Sequence, residues 1–286
     1  MMFDVDAFEP HRPALFGVAY RLLGSAAEAE DMVQETFLRW QSATATVDSP
    51  RAYLTTIVTR LCLDQLKSAR VQREEYVGPW LPEPVVTGPS AATMLGDAES
   101  ISLAFLVLLE SLSPTERAVY VLRTAFDYKH GEIAEILEVD EATCRQIFHR
   151  AEAHVKARRP RFASSQQAHL DLLTGFFGAV VSGDLPSLVR LLADDVHAAT
   201  DSGGKVSAAR RELHGSDAVS RFLCGLAKKD GAAHTQPEMV HANGWPALLL
   251  RRDGVPESLF LLETDGVLVY SVHMVRNPDK LAAFRL

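Results

Sequence analysis

Four side chains on one helical stretch, Arg145, Gln146, His149 and Arg150, are of the types that read nucleic-acid bases. Arg and Gln each present paired hydrogen-bonding atoms in a plane, which suits the two-pronged contacts that distinguish guanine and adenine in the major groove. They point away from Cys144, Ile147, Phe148, Ala151 and Val155, which recur as the apolar side of the same helix. Between Arg145 and Arg161, six Arg and Lys residues meet only Glu152 as an acidic neighbour, so this surface is locally positive. A second basic stripe, Thr56, Arg60, Lys67 and Arg70, recurs at helical spacing beside Tyr53 and Trp40, and aromatics interleaved with Arg and Lys suit unstacked bases. A third stripe, Glu28, Asp31, Gln34 and Glu35, is acidic. A plain solvated helix face looks the same in each case, and spacing by itself does not choose.

Other reactive residues are scattered. Asp195, His197, His214, His241 and His273 follow one another without the spacing of a metal site or an acid–base pair. The expectation is therefore no catalytic residue, no metal and no cofactor. Cys62, Cys144 and Cys224 are odd in number, far apart and inside helical patterns, which points to burial rather than redox duty.

The elements that must carry the stripes are legible. Ser25 with Glu28 three residues later opens a helix whose apolar face is Ala29, Met32, Val33, Phe37 and Trp40. Ser49 and Pro50 start a longer one, running to about Arg70. Val77 to Pro89 holds four prolines and reads as an extended linker, yet it keeps Trp80, Leu81, Val85 and Val86, which a flexible spacer does not need. It is expected to dock on another surface of the same chain. Ser113-Pro114-Thr115-Glu116 is a capping box. The short helix from His130, a turn at Val139-Asp140 and the helix Glu141 to Arg158 form a helix-turn-helix signature, for which a plain helical hairpin is the competing account.

After Pro160 the pattern becomes α+β. Helices are expected at Gln166 to Val181, Leu185 to Leu192 and Ser216 to Lys228, and strands at Val196 to Thr200, Ser207 to Leu213, Ala247 to Arg252, Ser258 to Glu263 and Val267 to Val275. Asn243-Gly244, Asp253-Gly254, Asp265-Gly266 and Asp201-Ser202-Gly203-Gly204 are turn signals. Helices followed by a curved antiparallel sheet describe an open cone.

Composition limits the options. The chain has 286 residues, 47% hydrophobic and 23% charged, enough for two or three small cores. Its formal charge of −8 argues against wrapping nucleic acid unaided, so any DNA contact must come from local patches, and a DNA reader delivered by a larger machine would not need a high affinity of its own. No apolar run approaches the roughly 18 residues that span a bilayer, and Met1 to Pro13 lacks a leader pattern, so a cytoplasmic protein without membrane contact is expected.

These segments in this order resemble the extracytoplasmic-function sigma factors. Ala29 to Phe37 looks like their region 2, Glu132 to Leu137 with the following helix like region 4, and the C-terminal part like the SnoaL-like domains of the nuclear transport factor 2 superfamily. The fusion is similar to the SigJ-type subgroup, whose motifs stand here as Trp80-Leu81-Pro82-Glu83-Pro84, Asp201-Ser202-Gly203-Gly204-Lys205 and Asn277-Pro278-Asp279-Lys280-Leu281. The resemblance implies a multidomain fold: two all-α sigma domains, a region 2 bundle at 1–75 and a region 4 helix-turn-helix at 93–162, joined by a linker at 76–92. They are followed by an α+β NTF2/SnoaL-like cone at 165–286.

It also implies jobs. Asp31, Gln34, Glu35 and Arg39 would dock on the clamp helices of the largest subunit of core RNA polymerase, while region 4 would meet the flap. Tyr53, Arg60, Lys67 and Arg70, with the loop from Thr44 to Pro50, would hold the opened minus-10 strand. Arg145, Gln146, His149 and Arg150 would read the minus-35 duplex of promoter DNA. Trp80, Leu81, Pro82, Asp201, Gly203, Gly204, Lys205, Asn277, Pro278, Asp279 and Lys280 would form a regulatory interface replacing a separate anti-sigma protein. Taken singly, Asp201 to Lys205 also reads as a hairpin turn and Asn277-Pro278 as the start of a last helix. Ser202 stands where the subgroup has Gly, which puts the form of that turn in question.

Two further readings compete. A ligand-responsive helix-turn-helix repressor would bind a palindrome as a dimer but leaves the acidic stripe and the basic third helix without work. A cyclase or isomerase of the SnoaL type would need a catalytic set that the scattered His and Asp residues do not form. The cone's apolar lining also leaves room for a small-molecule ligand.

Overall fold

The computed structural model describes residues 5–43, 47–74, 76–88, 99–158, 165–230 and 235–285. Chain contacts divide it into two units, Met1–Glu74 with Ser90–Arg159, and Glu75–Pro89 with Pro160–Leu286.

The first unit is helical. Its elements are α1 (Val5–Phe8), α2 (Arg12–Leu23), α3 (Ala26–Ser42), α4 (Pro50–Glu74), α5 (Leu103–Glu110), α6 (Pro114–Ala125), α7 (His130–Leu137) and α8 (Glu141–Arg158). Gly24, at φ 68°, ends α2 in the left-handed conformation that glycine adopts without strain, and Ser25 then caps α3 by accepting from the Glu28 amide. The carboxylate of Glu28 accepts from Gln65 Nε2 at 3.0 Å, tying α3 to α4. At α6 the capping box of Ser113 and Glu116 is complete. Leu15, Val18 and Leu22 of α2, Val33 of α3 and Leu54 and Val58 of α4 are buried together with Ile101, Leu106 and Leu122.

Buried arginines join the two halves of this unit. Arg21 donates to Ser100 Oγ at 2.7 Å, and Arg117 to the Leu22 carbonyl at 2.6 Å and to Glu110 at 2.6 Å. All three cysteines of the chain are free and buried, and burial raises the Cys62 thiol well above the usual range, which makes it inert.

The second unit combines α9 (Gln166–Ser182), α10 (Leu185–Leu191) and α11 (Ser216–Asp230) with strands β1 (Leu192–Asp201), β2 (Leu213–His214), β3 (Thr235–Ala242), β4 (Trp245–Arg252), β5 (Val255–Thr264) and β6 (Val269–Val275). These form one sheet in the order β2-β1-β6-β5-β4-β3. Asn243-Gly244 and Asp253-Gly254 turn the β3–β4 and β4–β5 hairpins with positive φ at both residues, as a tight two-residue connection requires. Val196, Ala198, Leu248, Phe260, Leu262, Val272 and Met274 pack with the helices as a core, and the alternate residues of those strands face the other way.

Four features differ from expectation. β1 runs parallel to β6, so the sheet is mixed, a pairing of distant segments that local turn signals cannot announce. Of the expected strand Ser207 to Leu213, only Leu213 pairs, as part of β2. β3 was not foreseen, because its Thr-Gln-Pro-Glu-Met-Val run carries a proline and exposed side chains, the marks of an edge strand. Asn277-Pro278 opens a turn followed by the short 3-10 stretch Ala282–Phe284, and Asn277 Oδ1 accepts from the Asp279 amide.

Candidate nucleic-acid interface and the linker site

On α8, Arg145, Gln146, His149 and Arg150 are all exposed, while Cys144, Ala151 and Val155 are buried beneath them. Asp140 caps this helix through the Thr143 amide at 2.8 Å, and Arg145 pairs with Glu141 one turn earlier. Such an exposed pair is weak, worth about 0.3–0.5 kcal/mol, and gives way readily to a base or phosphate. Arg159 and Arg161 lie outside the described residues.

The stripe on α4 is in a different state. Tyr53 is exposed at 36% and lies 6.0 Å from the Trp40 ring, and Lys67 pairs with Asp64 in solvent. Arg60, however, reaches α7. Its Nε donates to the Ile136 carbonyl at 2.9 Å, its NH2 to the Glu135 carbonyl at 3.3 Å, and its NH1 pairs with Glu138 at 2.9 Å. The last carbonyls of a helix lack intrahelical partners and carry its negative end, so a guanidinium there satisfies both needs. Glu138 itself is held at φ 57° as the cap of α7. Nearby, Tyr128 donates to Thr55 Oγ1 at 2.8 Å, and Arg51 donates to the Phe126 carbonyl at 3.1 Å while lying over the Tyr128 ring. The side chain of Arg70 and the loop residues Thr44 to Thr46 lie outside the described residues.

On α3, Asp31, Gln34 and Arg39 are exposed and Glu35 is half-buried and bonded to Arg39 at 3.0 Å. Glu28 does not share this free face, since Gln65 holds it.

The linker is seated on the second unit. Asp201, fully buried at the end of β1, accepts from Tyr76 Oη at 2.6 Å, the Leu81 amide at 2.9 Å and Lys280 Nζ at 2.7 Å. Lys280 also donates to the Leu81 carbonyl and lies 4.2 Å from the centre of the Trp80 ring. Burial, then the Asp201 carboxylate, raise the Tyr76 phenol above its usual value, so it stays a donor. Asn277 Nδ2 donates to Tyr76 Oη at 3.0 Å. Further along, the Val85 amide donates to Asn243 Oδ1 at 3.1 Å and the Thr87 amide to the His241 carbonyl at 2.9 Å, so the linker adds a short bridge to β3.

Asp201 to Lys205 is a turn after β1, closed by the Lys205 amide donating to the Ser202 carbonyl at 3.0 Å, and its Asp201 also holds the linker. Gly203, at φ 57°, leaves no room for a side chain, because a Cβ there would lie 2.6 Å from Asn277 Nδ2. Ser202 is not in the left-handed region, so its replacement of glycine is free of strain. Lys205 pairs with Asp279. Tyr76, Thr87, Asn243 and Arg276 belong to this site and were not singled out from sequence; Asn243 was visible only as a turn residue.

A cavity of about 280 Å³ lies in the same unit, walled by α9, α11 and β3 to β5. The scattered histidines do not gather around it. His197 and His273 sit on the opposite face of the sheet, with ring centres 6.1 Å apart. Ser271 donates to Glu263 at 2.6 Å and so accepts from His273 Nε2 at 3.2 Å, leaving His273 Nδ1 buried without a partner. Among the described residues no group of three His, Cys, Asp or Glu is placed to hold a metal ion.

Burial holds His169 down at about 4 and His273 at about 3. Both are neutral when folded. Below the unfolded value near 6.5 the unfolded chain takes up protons that these rings refuse, so stability is full above about pH 6.5 and is lost as pH falls from there towards 4. Glu263, raised by burial, offsets part of this loss. Thermal unfolding of the second unit is expected to lose about 1 kcal/mol between pH 7 and 6, and His169→Phe, which keeps a ring against Trp245, to remove about half of that dependence.

Models of sigma-70 region 2 and sigma-70 region 4 match residues 7–71 and 102–155. The ECF RNA polymerase sigma factor SigJ of Mycobacterium tuberculosis is 44% identical over 290 residues, 97% of this chain and 93% of that protein. The probable ECF RNA polymerase sigma factor SigI of the same species is 33% identical over 200 residues, 68% of this chain and 69% of that protein. The crystal structure of M. tuberculosis extracytoplasmic function sigma factor SigJ superposes with a TM-score of 0.79 at 37% identity, covering 98% of this chain and 99% of that one. Among the described residues no helix is long and apolar enough to cross a membrane.

Proposed function

Since this chain belongs to the extracytoplasmic-function sigma factors, which direct RNA polymerase to promoters, we propose that it does so under the control of its own C-terminal domain, in the cytoplasm where polymerase works. Asp31, Gln34, Glu35 and Arg39 dock on the clamp helices of the polymerase, and region 4 meets the flap. Tyr53, Arg60, Lys67 and Arg70 hold the opened minus-10 strand, and Arg145, Gln146, His149 and Arg150 read the minus-35 duplex. The C-terminal domain acts as a restraint and not as an enzyme.

The contact of Arg60 with the end of α7 carries this reading. The minus-10 and minus-35 elements lie roughly 25 base pairs apart, hence roughly 85 Å along B-form DNA at 3.4 Å per pair. A chain whose minus-10 reader caps the helix next to its minus-35 reader cannot engage both. Opening requires the connection between α4 and α5 to extend, and that connection contains the linker clasped by Asp201 and Lys280. Holding the linker therefore favours the closed chain, and releasing it favours the chain that polymerase binds. A small molecule in the cavity of the C-terminal domain would act on the same balance.

Run-off transcription with core polymerase tests the proposal. Trp80→Ala removes the ring under Lys280, a contact worth roughly 1 kcal/mol, and should raise output about threefold to fivefold at limiting sigma. Gel shifts should show strong promoter binding only with core enzyme. Tight binding of a palindrome by the chain alone would instead favour a repressor.

A further inference from the structure

We infer that the cavity in the C-terminal domain binds a neutral, mostly apolar molecule of about a dozen heavy atoms whose single hydroxyl or carbonyl is held by Ser258, and that filling it bears on the linker clasp. The second clause rests on the proposal that the domain controls the chain through its linker.

Size and walls set the class of molecule. A cavity of roughly 150 Å³ admits benzene, so about 280 Å³ admits a molecule about twice as large. Phe177, Val180, Leu223, Leu226, Leu250 and Phe260 supply apolar walls. The polar lining comes from a β-bulge: Leu250 pairs with Ser258 but Arg251 pairs with Pro256, leaving Glu257 as the extra residue. The bulge lets Glu257 and Ser258, consecutive in the chain, both reach the cavity.

Their states differ. The Glu257 carboxylate is held by Arg252 and Arg276, each at 3.2 Å, and neither guanidinium is among the residues that line the cavity, so a charged ligand would lose its hydration there without a direct counter-charge. Ser258 is 3% exposed, faces the cavity alongside Phe260, and its hydroxyl makes no hydrogen bond among the described residues. This hydroxyl opens onto the cavity, where a ligand carrying one hydroxyl or carbonyl can pair with it.

The cavity wall and the clasp meet in one residue. Arg276 grips Glu257 and the Ser207 carbonyl with its side chain, while its backbone amide donates to the Asp201 carbonyl at 2.7 Å. Asn277, next in sequence, holds Tyr76 of the linker. A molecule that presses on Glu257 therefore acts on the segment that grips the linker.

Titrating the full-length chain with 2-naphthol, naphthalene and 2-naphthoate tests the inference. 2-Naphthol should bind saturably, about fivefold to tenfold more tightly than naphthalene, the carboxylate should not bind, and Ser258→Ala should remove the 2-naphthol advantage without changing naphthalene. Leu226→Trp, which fills the cavity, should abolish both. Absence of saturable binding, equal affinity for all three probes, or binding indifferent to both substitutions overturns the site. With 2-naphthol bound, chymotrypsin cleavage at Trp80 should change severalfold. If binding behaves as expected and cleavage does not move, the site stands and control through the linker fails.

Discussion

Replacing Asp201 by alanine is expected to release the linker and to raise chymotrypsin cleavage after Tyr76 and Trp80 by two to three orders of magnitude. Asp201 is wholly buried and accepts from a phenol, a lysine and two backbone amides, of Leu81 and Gly203. Its loss leaves Lys280, whose side chain is only 12% exposed, without its counter-charge, and leaves the Leu81 amide without an acceptor. Removing one partner of a buried, hydrogen-bonded pair costs about 3–5 kcal/mol. When opening is fast relative to cleavage, proteolysis reports the open population, so that cost appears directly as a change in rate.

Asp201→Asn keeps the shape and one acceptor oxygen, and should give a smaller increase, about tenfold to thirtyfold. Combined with Lys280→Ala, neither substitution should add its full effect, because the two residues share one ion pair. The same Asp201→Ala chain should give more run-off product at limiting sigma than the wild type. Cleavage at the wild-type rate would mean that Val85 and Thr87, bonded to Asn243 and His241, hold the linker by themselves, and the control assigned to Asp201 would fall.

The clasp also marks how far sequence reasoning reaches. Trp80, Leu81, Asp201, Asn277 and Lys280 were visible as short motifs, and a proline-rich stretch with large apolar groups announced that it must dock somewhere. Tyr76 and Arg276 were not visible, because their partners lie 125 and 69 residues away and no local periodicity marks such a pairing. The helix caps at Ser25 and Ser113 were legible for the opposite reason, since their partners are three residues distant. The sheet shows the same division. Asn-Gly and Asp-Gly turns gave away β4 and β5, whereas the parallel pairing of β1 with β6 and the proline-bearing edge strand β3 are products of tertiary context.

The stripes on the helices were legible as faces but not as states. Arg145, Gln146, His149 and Arg150 stand exposed where the helical period puts them. Glu28 and Arg60 were grouped with exposed neighbours on the same reasoning, yet Gln65 holds one and the end of α7 the other. Periodicity fixes the direction a side chain leaves its own helix. It says nothing of which helix stands there.

Arg60 is therefore expected to have two effects of opposite sign, which a single pair of substitutions separates. Arg60→Ala removes two hydrogen bonds to helix-terminal carbonyls and one ion pair. With the guanidinium partly exposed, the loss is about 2–3 kcal/mol. Glu138→Gln removes only the ion pair, in which the Glu138 side chain is 73% exposed, and should cost less than about 1 kcal/mol. Hydrogen exchange of the α7 and α8 amides should accelerate in both, about thirtyfold or more for Arg60→Ala and about threefold for Glu138→Gln. Transcription should diverge. Glu138→Gln should loosen the closed chain while keeping the Arg60 side chain for the minus-10 contact proposed for it, so run-off output should rise about twofold. Arg60→Ala should open the chain further and remove that proposed contact, so output should fall below wild type despite greater opening. Equal output from the two variants, in either direction, would separate Arg60 from promoter reading, and unchanged exchange in Arg60→Ala would show that Tyr128, Arg51 and the buried Arg21 and Arg117 close this unit without it.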